Sequence, residues 1–122
     1  MNNKKIKISL LQIQGLKFPK ENSNLLKKYL TNSLKFNPDI IFTPECTNII
    51  TGNKNHLMKE STTQDKCPVL NMCIKFAKEN NKFISIGSLL LKKRNSRKLI
   101  NRSFFINNFG EIISYYDKIH LF

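Results

Sequence analysis

Apolar positions recur along this chain with two different periods, and the switches between them mark its elements. From Lys5 to Gln14 apolar and polar residues alternate loosely (Ile6, Ile8, Leu10, Ile13), which predicts a first strand. From Asn22 the period lengthens. Leu26, Leu30 and Leu34 recur every four residues beside Leu25 and Tyr29, opposite Lys27, Lys28 and Lys35, the pattern of an amphipathic helix. Asn22 or Ser23 can cap its first turn, and Asn37-Pro38 ends it. The run Asp39-Ile40-Ile41-Phe42-Thr43 then reads as a buried strand, closed by Pro44, which has no N–H for a sheet ladder.

The stretch from Thr47 to Lys66 keeps no period and reads as a loop. A second helix is predicted from Pro68 to about Asn80, with Val69, Met72, Cys73, Phe76 and Ala77 facing inward. A third strand runs from Phe83 to Leu91. Beyond the basic run Lys92–Lys98, two strand-like segments, Leu99–Asn107 and Glu111–Tyr116, are joined by Asn108-Phe109-Gly110, a hairpin signal. The order β-α-β-α-β followed by a β-hairpin predicts a mixed α/β sheet, with right-handed crossovers that place both helices on one face.

Composition narrows this further. A chain of 122 residues with 40% hydrophobic residues suits one soluble domain with a real core. No apolar run approaches the ~20 residues of a membrane helix. The lysine-led start has a short apolar part interrupted by Lys7 and no small-residue cleavage site, so it reads as a strand rather than a signal peptide, and a cytoplasmic location is the default expectation. Cys46, Cys67 and Cys73 are odd in number and unevenly spaced, with no CxxC pair and neither histidine near a paired cysteine, which argues against a zinc site and for reduced thiols. The net charge of +13 raises a second function class, a basic non-catalytic binding protein for nucleic acid or an acidic partner. The lysines are scattered rather than clustered, however, and the dense run Lys92–Lys98 falls where a loop is expected, so nucleic acid is the disfavoured partner.

Chemistry enters at Glu45, a carboxylate directly after the second strand, at the sheet edge where open α/β folds gather ligands. The segment Phe42-Thr43-Pro44-Glu45-Cys46 and the terminal segment from Asn101 to Tyr115-Tyr116-Asp117-Lys118-Ile119-His120-Leu121-Phe122 together resemble two motifs of the nitrilase superfamily, the carbon–nitrogen hydrolases. The order and separation of the motifs match, and the resemblance covers this whole sequence but only the amino-terminal half of a family domain. Asp117 departs from it, standing where an arginine is usual.

The resemblance implies a partial α-β-β-α sandwich and a Glu-Lys-Cys triad. Glu45 would be the general base, Lys118 would stabilise the oxyanion, and the nucleophilic cysteine, which belongs a few dozen residues past the lysine, would be absent. Cys46 neighbours Glu45 but points the other way along a strand, and Cys67 and Cys73 belong to a helix. The implied activity is hydrolysis of a small amide, of omega-amidase or related type, by a domain truncated before its nucleophile and inactive alone. No cofactor or metal is implied. The partners implied are the amide substrate and either the missing carboxyl-terminal half or another copy of the chain; no membrane is. Half a sandwich would leave apolar strand faces and an unpaired edge in water. A carboxylate in a partly desolvated pocket is also expected to have a raised proton affinity.

Overall fold

The structure, a computed structural model, describes residues 3–119. Its sheet has five strands in the order of the sequence: β1 (Ile8–Leu10), β2 (Ile40–Thr43), β3 (Phe83–Lys92), β4 (Leu99–Ile106) and β5 (Ile112–Asp117). β1, β2 and β3 run parallel, while β4 and β5 return antiparallel. The helices are α1 (Pro19–Ser33), α2 (Lys54–Glu60) and α3 (Pro68–Asn80).

α1 and α3 cross over between successive parallel strands and pack against each other on one face. Their inward stripes are Leu26 and Leu30 from α1, and Val69, Leu70, Cys73, Phe76 and Ala77 from α3. These close over Ile41, Ile84, Ile86, Leu89, Leu91, Phe104 and Ile106 from the sheet to make the core. Left-handed residues stop both helical segments, Asn37 after the 3₁₀ turn that extends α1 and Asn81 after α3, which suits the tolerance of asparagine for that conformation. The β4–β5 turn is tied by Asn107, whose Oδ1 accepts the N–H groups of Phe109 and Glu111.

Three expectations are corrected. The first strand is confined to Ile8–Leu10 rather than Lys5–Gln14. α1 starts at Pro19, three residues earlier than its capping pattern suggested, because proline fits a first helical position; Asn22 and Ser23 are interior residues and cap nothing. The segment Thr47–Lys66 carries α2 and a 3₁₀ turn at Gln64–Lys66.

The opposite face of the sheet is bare. Ile8 and Leu10 are 51% and 69% exposed, and Phe83 stacks on Phe105 at 5.9 Å with no layer above them among the described residues. This is the uncovered apolar face expected of half a sandwich.

The sheet carries one irregularity beside the candidate site. Between Ile86 and Leu89 the β3–β4 register shifts, so that Gly87 and Ser88 together oppose Ser103.

Candidate active site

The turn that carries Glu45 is held by a set of buried polar side chains. β2 ends at Thr43, and the chain bends through Cys46, whose φ of 52° lies in the left-handed region. The bulged Ser88 accepts the Cys46 N–H on its hydroxyl at 2.9 Å and the Thr47 N–H on its carbonyl at 3.0 Å. Asn48, 1% exposed, behaves as a pseudo-strand: its amide donates to the Leu90 carbonyl at 2.8 Å and accepts the Leu90 N–H at 2.9 Å. Its own carbonyl receives the amide of Asn22, 2% exposed, which also clasps the backbone of Leu16. Thr47 donates to the Pro44 carbonyl and shares a hydrogen bond with Thr43.

Gly87 explains how β2 and β3 come so close here. A Cβ at that position would fall 2.5–2.6 Å from the backbone atoms of Thr43 and Pro44. Only glycine leaves room for that approach.

Lys118 arrives from the other direction, past the end of β5. Its N–H donates to the carbonyl of Asn101 in β4 at 2.9 Å. Its Nζ lies 2.6 Å from Glu45 Oε1, across 73 residues of sequence. The pair is half open to solvent, with Lys118 and Glu45 side chains 38% and 47% exposed. Asn101 Nδ2 approaches the same Oε1 at 3.4 Å. Gly87, Ser88, Ser103 and Tyr116 complete the walls of a cleft of ≈ 330 Å³. Ser103 and Tyr116 pair across β4 and β5 on the bare side of the sheet, so the cleft opens where no helix packs.

The electrostatics correct one expectation. Glu45 sits below its ordinary value rather than above it: the hydrogen bond from Lys118 is the largest effect and, with the lysine's charge and the Asn101 amide, outweighs the opposing effect of burial. The lowered value makes Glu45 a weaker base than an unpaired carboxylate.

The cysteines fall elsewhere. Cys46 lines a second hollow of ≈ 60 Å³, which shares Glu45 with the cleft, together with Ile13, Gly15, Asn22, Leu26 and Ile50; burial and the neighbouring Glu45 charge push its thiol up. Cys67 and Cys73 are fully buried in the core, and burial raises both thiols. All three thus favour the unreactive thiol form. Asp117 does not reach the cleft: it takes a two-pronged contact from Arg102 at 2.5 and 2.8 Å, and Arg102 also stacks on Tyr115. The basic run forms the β3–β4 turn, with Arg94 3.6 Å from Asp65. His120, Leu121 and Phe122 of the terminal motif lie outside the described residues.

Among the described residues no group of three or more His, Cys, Asp or Glu side chains could hold a metal ion, and no helix is long and apolar enough to cross a membrane.

With this geometry in view, the sequence matches the family model for carbon-nitrogen hydrolase over residues 7–122. The chain belongs to the carbon–nitrogen hydrolase family. Its fold is that of the nitrilase superfamily. The Caenorhabditis elegans NitFhit protein superposes with a TM-score of 0.83 at 23% identity, over 94% of this chain and 28% of that one. Saccharomyces cerevisiae Nit3, a member of branch 10 of the nitrilase superfamily, gives 0.80 at 20% identity, over 94% and 44%. An amidase from Nesterenkonia sp. gives 0.76 at 14%, over 96% and 44%. This carbon–nitrogen hydrolase chain thus spans less than half the length of these solved relatives. No curated protein sequence matches it.

The residues that sequence reasoning missed are the ones that hold Glu45 in place: Asn22, Asn48, Gly87, Ser88 and Asn101. A strand broken by Gly87-Ser88 beside a proline-ended neighbour was the one available signal, since glycine inside a strand marks a bulge or a close backbone approach.

Proposed function

We propose that this chain supplies the base and the cation of a nitrilase-type amidase acting on a small amide, with the nucleophilic cysteine contributed by polypeptide outside residues 1–122. The observation that carries this is the 2.6 Å contact between Lys118 Nζ and Glu45 Oε1 in a cleft at the carboxyl end of β2, in a chain of this family. In the proposed reaction Glu45 takes the thiol proton and the sulfur attacks the amide carbon. Lys118 faces the oxyanion of the tetrahedral intermediate. Collapse expels ammonia, which receives the proton held on Glu45. Water then hydrolyses the thioester, with Glu45 again as base.

The lowered proton affinity of Glu45 fits this scheme once the cleft is covered. Excluding water weakens the hydration of its carboxylate and raises its affinity for the thiol proton, while the lysine stays poised for the oxyanion.

The substrates proposed are ω-amides of dicarboxylic acids and related small amides. Residues 1–122 alone should release no measurable ammonia from them. Expression together with the polypeptide encoded downstream, in one chain or two, should restore release. Glu45→Gln and Lys118→Ala should each then reduce turnover by about 10³-fold or more, as for residues that act as a unit. Steady turnover by residues 1–122 alone, or a completed enzyme indifferent to both substitutions, overturns the reading.

A further inference from the structure

Asn101 is 3% exposed in the middle of the sheet, and its Oδ1 is buried without a hydrogen-bond partner among the described residues. Leaving a buried acceptor unmade is costly, and an apolar side chain of the same shape would avoid the cost. What the amide gains is on its other end, where Nδ2 approaches Glu45 Oε1. Turning the amide over would set Oδ1 against a carboxylate oxygen, two acceptors face to face, so the donor must be the end at Glu45. The same residue receives the Lys118 N–H on its main-chain carbonyl at 2.9 Å. One position in β4 therefore touches both members of the ion pair.

We infer that Asn101 is a positioning residue: its buried amide holds the Glu45 carboxylate at Lys118, while its carbonyl fixes where the chain bearing Lys118 leaves β5. The functional meaning rests on the reading of Glu45 as base, but the geometry does not. Glu45 follows a turn, and Lys118 is a long side chain at the end of an exposed strand. A rigid donor from a central strand restricts the carboxylate in a way that a flexible lysine does not. The hydrogen bond also favours the charged form of the carboxylate, in the same direction as the lysine.

The test is the proton titration of Glu45, followed by carboxyl-carbon NMR in chains labelled at glutamate and assigned by the signal lost in Glu45→Gln. In Asn101→Leu the midpoint of Glu45 should move upward while the melting temperature is not lowered, because the orphaned oxygen has gone. An unmoved midpoint in a folded Asn101→Leu chain overturns the inference, and a lowered melting temperature with an unmoved midpoint makes Asn101 a structural filler. If Asn101→Leu does not fold, Asn101→Asp keeps the shape and sets a second carboxylate beside Glu45. The Glu45 titration must then rise and spread over two steps, and an unchanged curve again overturns the inference. This readout needs no turnover: a failed ammonia assay leaves it standing, and an unmoved titration leaves the hydrolase reading standing.

Discussion

The two halves of the candidate site are built in opposite ways. Glu45 follows a central strand, and the turn behind it is fastened by Asn48, Ser88, Thr47 and the Asn22 amide, most of them buried. Lys118 follows β5, an edge strand in which every residue after Ile112 is exposed. The comparison teaches where the order of this site comes from. The carboxylate is placed by the interior of the fold, and the ammonium comes to it from the rim, guided by Asn101 and by the charge it meets.

This contrast can be broken from its rigid side first. Asn48→Ala should have the largest effect, because it removes both hydrogen bonds to Leu90 and leaves a hollow under the turn. A loss of about 2–4 kcal/mol is expected, read as a fall in the urea midpoint. Gly87→Ala should follow at about 1–3 kcal/mol, since the new methyl must push the ends of β2 and β3 apart. Its signature is a displaced Glu45 turn, visible as amide shifts at Cys46 and Thr47.

On the rim side, Lys118→Ala should change stability by less than about 1 kcal/mol, as for other half-exposed ion pairs. It should still release Glu45 upward in its titration, because Lys118 is the main cause of the lowering.

The smallest effect is in the pH dependence. Glu45 and Asp117 both sit below their ordinary values of 4.5 and 3.8 in the folded chain, through Lys118 and Arg102 respectively. A lowered folded value means that the stabilisation is present above the ordinary value and is lost as pH falls through the folded one. The stability curve should decline below about pH 4.5, and Glu45→Gln should flatten only part of that decline. A curve unchanged by Glu45→Gln would show that the ion pair does not persist in solution.

How far all this was legible follows from the range over which each signal acts. β2, α3 and the β4–β5 hairpin were readable because their patterns are local: an apolar run closed by Pro44, a stripe from Val69 to Ala77, and a turn at Asn108-Phe109-Gly110. Glu45 and Lys118 were singled out by the residues flanking them, and the folded chain brings the two together. Asn22 was misread as a cap because asparagine near a helix start favours that role, whereas its partner Asn48 lies 26 residues away. Asn48 itself fell in a stretch without periodicity. Asn101 opens the terminal motif, but its contact with Glu45 exists only once β3 and β4 are paired. The lowered proton affinity of Glu45 was missed because exposure, which decides between burial and charge, is not written locally.

The bulge at Gly87-Ser88 has an arithmetic consequence for the whole far end of β3. Before it, the even-numbered Ile84 and Ile86 point into the core; after it, the odd-numbered Leu89 and Leu91 do. The strand changes parity once, at the residue pair that opposes Ser103. The apolar run Leu89-Leu90-Leu91 hides this change, because leucine suits either phase. Pairing β3 with β4 at full length but without the bulge would return the strand to strict alternation and turn Leu89 and Leu91 out to the bare face. The space beside Glu45 and the phase of the upper core are therefore set by the same extra residue, and the chain cannot straighten one without inverting the other.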